Sequence, residues 1–269
     1  MQEKDRIILD QTGYVSKIQV ENMTAERLRQ KTEGLTNMEM TTLRRYVGAL
    51  NWVVRATRPD LSFNMVELST KFIRGKVEDL VKAWKVIKSL LQIENKVVFP
   101  KLDEKSLKLV VYTDASFGNL NDGVDSMGAC IVFLTDVSGK CIPLDWSANK
   151  VKRVVKSTIA AETLALANGI DTAIFTRRLI SEMLGISETK IAIDAVIDNK
   201  SCLEAVYSTS LVEDKRLRRE IASIQESIAK HEIKSVTWVP GDKQLCDVLT
   251  KSGVNNLKLL QVIQNGKFY

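Results

Sequence analysis

The feature that most constrains the fold is the order of strand-like and helical segments in residues 107–253. Five segments are rich in β-branched and aromatic residues and are bounded by turn residues, as strands are. They span residues 107–116, 127–136, 141–150, 190–201 and 233–240. The first three follow one another directly, whereas helical patterns separate the later ones. This order predicts an α/β fold, with a mixed five-stranded sheet that has helices on both faces.

The preceding part of the chain has a different pattern. Apolar residues recur at helical spacing in residues 41–60, 61–75 and 77–96, so this part is predicted to be mostly helical. The stretch VVFPKLDEKS that follows has a proline, charges and no period, which indicates a boundary. We therefore predict a helical region over 1–100, a linker over 101–106, an α/β domain over 107–255 and a C-terminal tail over 256–269.

Composition excludes several classes of protein. The 269 residues are 45% hydrophobic and 27% charged, which suits a chain with a sizeable core. The net charge of +6 permits a polyanionic partner without requiring one. Four cysteines without a CxxC pair and a single histidine are too few for a zinc site. The chain lacks a signal-peptide pattern and an apolar run that could span a bilayer, so we expect an intracellular protein.

Four acidic residues stand at ends of predicted elements. Asp114 ends the first strand after an apolar run, and Asp198 ends the fourth strand. Glu162 lies on the apolar stripe of the long helix, in its first turns, with Ser157 as the N-cap. Asp247 lies among apolar residues of the last helix. A buried carboxylate is costly unless a positive charge meets it, so these positions suggest a shared cation.

Strand ends and helix starts can converge at one edge of a mixed sheet. Carboxylates held together there would repel each other unless a cation lay between them. A set of ligands that is all oxygen suits Mg²⁺ or Mn²⁺. Two such ions about 4 Å apart can bracket a phosphodiester, one activating water and the other stabilising the leaving oxygen. The four acids therefore indicate a site that hydrolyses phosphodiesters.

Each of these acids also has an ordinary explanation. Asp114 could be a turn residue at a strand end, Glu162 could pair with Arg177 or Lys156, and Asp198 could begin an Asx turn. Asp247 could lie on a solvated helix face. The argument for a metal site therefore rests on all four acids together.

Three other acids compete for the same role. Asp122 and Asp125 lie in the stretch GNLNDGVDSMG, which is typical of a flexible turn. Asp194 shares a strand face with Asp198, but it is the wrong distance along the strand to share the site easily.

Four segments, in this order, resemble the ribonuclease H domain of copia-type (Pseudoviridae-like) retrotransposon polyproteins. They are YTDASFGN, STIAAETLAL, VIDNKS and WVPGDKQLCDVLTK. The upstream stretch YVGALNWVVRATRPDLSF is similar to the thumb and connection region of the reverse transcriptase in the same polyproteins.

The resemblance implies a ribonuclease H-like fold and cleavage of the RNA strand of an RNA–DNA hybrid with two divalent ions, Mg²⁺ or Mn²⁺. Position by position, the catalytic and metal-binding acids of the family fall on Asp114, Glu162, Asp198 and Asp247. The implied partners are the hybrid and the polymerase part of a reverse transcriptase. The implied location is the cytoplasm, a virus-like particle or the nucleus.

Two features depart from a complete enzyme of this kind. The sequence has no YxDD polymerase motif, so a complete reverse transcriptase is not expected. Related enzymes often use a mobile histidine near the site to help the product leave. The single histidine, His231, is expected instead at a solvated helix end.

Nine residues are predicted to hold the nucleic acid. They are Ser116, Lys150, Lys152, Arg153, Lys156, Asn199, Ser201, Lys215 and Arg216. The basic ones would pair with phosphates along a duplex, although charged loops often only face water. Asn199 and Ser201 would donate hydrogen bonds to a phosphate or to a ribose 2′-hydroxyl, which distinguishes RNA from DNA. Trp146 and Trp238 are expected in the core.

Two other functions fit the same fold. One is a catalytically inactive remnant that binds nucleic acid or acts as a scaffold, although such a remnant would have no reason to keep four acids. The other is an integrase-like strand transferase. In that class the glutamate comes last among the acids, whereas Glu162 comes second here.

Overall fold

The computed structural model describes residues 2, 5–120, 123–209 and 212–268. Strands β1 to β7 span Arg6–Asp10, Lys96–Pro100, Lys108–Leu120, Asp125–Thr135, Cys141–Lys150, Ala192–Ile197 and Ser235–Trp238. Helices α1 to α10 span Thr12–Val15, Ala25–Arg29, Asn37–Val54, Ser62–Ser69, Val77–Leu90, Thr158–Leu184, Lys200–Tyr207, Lys215–Ala229, Asp247–Thr250 and Leu257–Asn265. Within the described ranges, none of the helices is long and apolar enough to cross a membrane.

Strands β3 to β7 form one sheet in the order β5–β4–β3–β6–β7. The first three strands make an antiparallel meander. Strand β6 then pairs parallel to β3, and β7 pairs parallel to β6. Strand β3 lies in the middle, which explains its nearly continuous apolar run, because both of its faces are covered. The predicted α/β fold with a mixed five-stranded sheet is therefore confirmed.

Helix α6 packs on one face of this sheet. Its buried Leu166 and Ile170 share a core cluster with Val111 of β3. Gly169 lets the helix approach closely, because an added Cβ there would lie 2.3 Å from Cγ2 of Thr113. Helices α7 and α8 add apolar residues to the same cluster.

The opposite face of the sheet is covered by α9 and α10 and by residues from earlier in the chain. Ile131 and Phe133 of β4 share a cluster with Leu249 of α9, Ile263 of α10 and Phe63 of α4. Helices therefore lie on both faces of the sheet, as predicted.

The segment predicted as a C-terminal tail, 256–269, contains a packed helix. Leu259, Leu260, Val262 and Ile263 of α10 are buried. They form an apolar stripe, and the helix contacts β2 and β5. An apolar stripe of this kind is stable only when another surface covers it, so this helix packs against the rest of the chain. Whether 256–269 is separate from the α/β domain remains a prediction.

The helical region forms a second core. Helices α3, α4 and α5 pack around a cluster that includes Leu43, Leu50, Leu80 and Ile87. A capping box between Thr36 and Glu39 begins α3. The mostly helical character predicted for this part is observed, with the addition of the two-stranded sheet formed by β1 and β2.

The stretch VVFPKLDEKS begins as a strand and not as a linker. Val97, Val98 and Phe99 lie in β2, which pairs antiparallel with β1. β-Branched and aromatic residues favour a strand, and Val97 joins the core under the sheet. The predicted linker begins only after this strand. The boundary between the helical region and the α/β domain remains a prediction.

Polar contacts join the helical region to the rest of the chain. Arg58 and Asp60 form a buried ion pair of 2.8 Å. The amide of Asn256, just before α10, donates to Oδ2 of Asp60 at 2.8 Å. The indole N–H of Trp146 in β5 donates to the carbonyl of Val54 at 2.8 Å. These contacts position the two parts against each other.

Candidate active site

Asp114 lies inside β3 and not at its end. The strand continues to Leu120, and it stays paired with β4 through Ser116. The pairing with β6 stops at Tyr112, so the strand ends only on its parallel side. The expected strand end was wrong because the β3–β4 hairpin is longer than its apolar run. Asp114 is 0% exposed.

Asp198 and Asp247 reach the same place from other elements. Asp198 directly follows β6, and Asp247 is the first residue of α9. One carboxylate oxygen from each of Asp114, Asp198 and Asp247 can be chosen so that all three lie within 4.8 Å of one another. Because β3 and β6 run parallel, their carboxyl ends meet at one edge of the sheet, which brings these acids together.

Glu162 lies beside these three acids. Ser157 caps α6, because its side chain accepts from the N–H of Ala160, and Glu162 follows one turn later. Glu162 is 5% exposed, and its Oε2 accepts from the N–H of Ala115 at 3.2 Å. Since Ala115 follows Asp114 in β3, this bond holds the glutamate against the site.

The acids that competed for this role lie in other contacts. Asp125 pairs with Lys150 at 2.6 Å. Asp194 pairs with Lys108 at 3.4 Å, near the opposite end of β6. Asp122 lies outside the described residues.

Two further sequence-based alternatives are decided by contacts. Arg177, a suggested partner of Glu162, donates to the carbonyl of Glu232 and pairs with Glu188 at 3.5 Å. His231 is exposed and follows α8 with a positive φ of 58°. It lies at a helix end, as predicted.

Burial and nearby negative charges raise the pKa values of Asp114, Glu162 and Asp198. Burial raises the pKa of Asp114 to about 6, with Asp247 and Asp198 adding to the effect and Lys251 opposing it. Burial, then the charges of Asp114 and Asp198, raises the pKa of Glu162 to about 8. Burial also raises the pKa of Asp198. Such shifts are typical of carboxyl groups that are buried close to one another.

Lys251 is a cationic member of the site that the sequence analysis missed. Its ammonium contacts the carboxylate of Asp247 and lies 3.6 Å from Oδ1 of Asp114. Burial would lower the pKa of Lys251, but Asp114, Asp247 and Asp198 raise it above its ordinary value. The sequence offered no clear signal for this role, because a lysine that follows a helix is an ordinary surface residue.

Thr250 connects α9 to β3. Its hydroxyl donates to Oδ2 of Asp114. Its carbonyl accepts from the hydroxyl of Ser116 at 2.9 Å and from the amide of Asn119 at 2.6 Å. Ser116, predicted to contact nucleic acid, is therefore 6% exposed and supports the site from within.

The carboxylates suit a divalent cation. Oδ1 of Asp114 is buried and lacks a hydrogen-bond partner among the described residues. A buried charged atom is rarely left in this state, because it loses its hydration without replacement. Asp114, Asp198 and Asp247 together offer hard oxygen ligands, with Glu162 adjacent.

The basic residues predicted to hold nucleic acid lie in two neighbouring segments. They are Lys150 at the end of β5, Lys152, Arg153 and Lys156 in the loop before α6, and Lys215 and Arg216 in the first turn of α8. Arg153 pairs with Glu220, which brings the loop against α8. A cleft of about 740 Å³ lies between this loop, β5 and α6.

The two polar residues after Asp198 differ in their surroundings. Asn199 is the N-cap of α7, and its side-chain oxygen accepts from the N–H of Cys202 at 2.9 Å. Ser201 is exposed in the first turn of the same helix. The amide oxygen of Asn199 is thus already used by the helix.

Trp238 is a second residue whose role the sequence did not indicate. It was expected in the core, but it is 37% exposed. Its indole N–H donates to the carbonyl of Asp198 at 2.8 Å, and the ammonium of Lys200 lies 4.5 Å from the ring centre. Trp238 therefore supports the turn that carries Asp198.

A cavity of about 500 Å³ opens beside the acids. Phe63, Ser116, Phe117, Glu162 and Lys251 contribute to its lining. The cavity connects Glu162 and Lys251 with a surface that is partly aromatic and partly polar.

The sequence is similar to retrotransposon proteins. It is 29% identical over 215 residues to the retrovirus-related Pol polyprotein from transposon RE1 of Arabidopsis thaliana. It has the same identity, over the same length, to the corresponding polyprotein from transposon RE2. The match covers 78% of this chain and 14% of each polyprotein. No protein-family model matches the chain.

Solved structures with similarity include ribonuclease H and reverse transcriptase proteins. The N-terminal RNase H domain of rv2228c from Mycobacterium tuberculosis is 18% identical, with a TM-score of 0.36 and coverage of 52% of this chain and 86% of that one. Prototype foamy virus protease-reverse transcriptase is 9% identical, with a TM-score of 0.35 and coverage of 72% and 27%. By sequence, this chain is therefore similar to retrovirus-related Pol polyproteins of transposons, and its α/β part has the mixed five-stranded sheet with helices on both faces that the resemblance to ribonuclease H domains implied.

Proposed function

We propose that this chain is a metal-dependent endonuclease that hydrolyses the RNA strand of an RNA–DNA hybrid. The observation that carries the proposal is the convergence of Asp114, Asp198 and Asp247 within 4.8 Å, with Glu162 beside them. The similarity to retrotransposon Pol polyproteins supports it. Hydrolysis would leave a 3′-hydroxyl and a 5′-phosphate.

The four acids would hold two Mg²⁺ or Mn²⁺ ions. Bound ions of this kind supply an activated water and neutralise charge on the leaving oxygen. The contribution of the chain is to hold the carboxylates in place. The N–H of Ala115 orients Glu162, and Trp238 supports the turn that carries Asp198.

The substrate would be held mainly through its phosphates. Lys152, Lys156 and Lys215 are exposed and lie in the two basic segments beside α6, where a polyanion would be attracted. Ser201 is exposed close to Asp198 and is the better placed donor to a ribose 2′-hydroxyl. Asn199 would contribute through its amide N–H groups, because its oxygen caps α7.

The remaining partners follow from the relationship to Pol polyproteins. The chain spans 14% of the length of those relatives, so the polymerase part of a reverse transcriptase is a proposed partner. Residues 1–100 would act as its thumb and connection region. The cytoplasm, a virus-like particle or the nucleus is the proposed location.

A second candidate function is an inactive remnant that binds nucleic acid or acts as a scaffold. The observation that favours it is Lys251, whose ammonium already neutralises part of the charge on Asp114 and Asp247. All four acids are retained, however, which favours the nuclease.

The test is a gel assay on a labelled RNA–DNA hybrid, with double-stranded RNA and double-stranded DNA as control substrates. We expect Mg²⁺- or Mn²⁺-dependent cutting of the hybrid RNA alone. Asp198→Asn should abolish it, whereas Asp194→Asn, on the same strand but paired with Lys108, should leave it intact. Cutting that survives Asp198→Asn would refute the assignment.

Metal binding separates the two candidate functions. Millimolar Mg²⁺ should raise the melting temperature of the wild-type protein, because a ligand that binds only the folded state stabilises it. If Mg²⁺ has no effect and the hybrid is bound but uncut, the scaffold function is correct.

A further inference from the structure

The ammonium of Lys251 lies between two of the proposed metal ligands. It contacts Asp247, and it is 3.6 Å from Oδ1 of Asp114. These two carboxylates come from α9 and β3, so the lysine bridges the elements that the site brings together. A cation is therefore already present at this side of the acid cluster.

The backbone that carries Lys251 is fixed. Two side chains of β3, Ser116 and Asn119, donate to the carbonyl of Thr250, and the hydroxyl of Thr250 donates to Asp114. Lys251 is the C-cap residue of α9 and has an extended conformation, with φ −131° and ψ 148°. These contacts aim its side chain at the acids, unlike that of an ordinary surface lysine.

The ammonium does not fully satisfy the site. The distance of 3.6 Å between the ammonium of Lys251 and Oδ1 of Asp114 is too long for a hydrogen bond. Oδ1 is buried and has no hydrogen-bond partner among the described residues. A divalent ion bound by both Asp114 and Asp247 would take the place of the ammonium, because two cations at that position repel each other.

The ammonium of Lys251 is also able to move away from Asp114 and Asp247. Its side chain is 39% exposed, and it has a flexible four-carbon stem. The ammonium can therefore turn towards solvent while the Thr250 contacts keep the backbone in place.

We propose that Lys251 is a built-in competitor of the divalent ion. Its ammonium stands in for an ion between Asp114 and Asp247 in the metal-free protein, and it must move away before an ion binds there. The inference rests on the proposed function only in that these carboxylates bind a divalent ion.

The test is a calorimetric titration of Mn²⁺ into the full chain. We expect Lys251→Met to bind Mn²⁺ about tenfold more tightly than the wild type, because a like charge has been removed from the site. Lys251→Arg keeps the charge and should bind no more tightly than the wild type. Lys230→Met is the matched control, because Lys230 forms an ion pair with Glu226 at the same spacing on α8, and its affinity should be unchanged.

Thermal melting gives a second readout that does not depend on activity. Without metal, Lys251→Met should melt at a lower temperature than the wild type, because its carboxylates have lost their cation. Saturating Mn²⁺ should restore more stability to this variant than to the wild type. Lys251→Gln should behave in the same way. If saturating Mn²⁺ raises the melting temperature of both neutral variants no more than that of the wild type, the proposal is wrong, because the ion should replace the ammonium.

The outcomes distinguish this proposal from the nuclease proposal. If Lys251→Met binds Mn²⁺ equally well or more weakly while the wild type cuts the hybrid, Lys251 is not a competitor and the nuclease assignment stands. If Lys251→Met binds Mn²⁺ more tightly than the wild type but neither protein cuts the hybrid, Lys251 competes with a metal ion in a site that has no nuclease activity. If none of the proteins binds Mn²⁺, both proposals fail.

Discussion

Glu162 and Asp114 are carboxyl groups in places where a negative charge is costly. Asp114 is fully buried, and Glu162 is held against the N–H of Ala115. Asp114 lies near the ammonium of Lys251 and accepts a hydrogen bond from the hydroxyl of Thr250. At the scale of the residue, the site therefore concentrates carboxyl groups where burial makes their negative charge costly.

The raised pKa of Glu162 predicts how stability depends on pH. The folded protein holds this proton up to a pH of about 8, whereas the unfolded chain releases it at its ordinary, lower value. The proton on Glu162 therefore contributes fully to the free energy of unfolding at acidic pH. This contribution is lost as the pH rises through about 8. When a chelator is present, the melting temperature of Glu162→Gln should fall less than that of the wild type as the pH rises from acidic values to about 8. Glu104→Gln, at an exposed site, should not. Identical slopes for Glu162→Gln and wild type would contradict the environment described for Glu162.

Trp238→Phe tests whether the indole supports Asp198. The change removes the N–H that donates to the carbonyl of Asp198 but keeps an aromatic ring near Lys200. We expect a loss of about 1 kcal/mol in unfolding free energy and slower cutting of the hybrid. Trp146→Phe removes a similar bond, to Val54, and should cost similar stability without slowing the cutting. Equal effects of both changes on cutting would count against a supporting role for Trp238.

The four acids that lie together in the structure were singled out from the sequence, but the residues that contact them were not. An acid after an apolar strand is visible in the sequence because it breaks the strand's pattern, as at Asp114 and Asp198. Lys251 and Trp238 break no local pattern, since a lysine after a helix and a tryptophan in a strand are both ordinary. Their roles depend on contacts between distant elements.

At the scale of the elements, the mixed five-stranded sheet and helix α6 were predicted from the sequence. Strand β2 and helix α10 were missed because each is stabilised by tertiary contacts more than by its own pattern. Strand β2 needs β1 as a partner, and α10 needs the sheet and β2 to cover its apolar stripe. Strand β3 was predicted too short because its last residues are polar, and pairing with β4 extends it.

Gly169→Ala tests the close contact between α6 and β3. The added Cβ would lie 2.3 Å from Cγ2 of Thr113, so helix and sheet must move apart. We expect a loss of about 1–3 kcal/mol in unfolding free energy, measured in urea. Gly48→Ala in α3 is the control, because no described atom lies within 4 Å of its added Cβ. That change should stabilise the protein by about 0.5–1 kcal/mol. A stabilising Gly169→Ala would disprove the tight packing.

At the scale of the whole molecule, a buried ion pair connects the helical region with the segments just before strand β2 and helix α10. Arg58 pairs with Asp60 and donates to the side-chain oxygen of Asn95, just before β2. Asp60 also accepts from Asn256, just before α10. These charges lie where the first core, strand β2 and the last helix meet.

Asp60→Asn should therefore destabilise the protein strongly. It leaves the guanidinium of Arg58 buried without a counter-charge, which costs about 3–5 kcal/mol of unfolding free energy. Glu94→Gln removes a more exposed partner, of Lys96, and should cost less than about 1 kcal/mol. Chemical denaturation of both variants measures the difference. Similar small losses would mean that Arg58 reaches solvent.

The cluster beneath the sheet has a practical consequence for engineering. Phe63 and Val97 precede residue 107, yet they pack with Ile131 and Leu249 in the same interior. A fragment that begins at residue 107 would expose the apolar side chains of this cluster to water and would tend to self-associate. When the α/β part is inserted into another protein, α4 and the β1–β2 pair must be included, because they cover this face of the sheet.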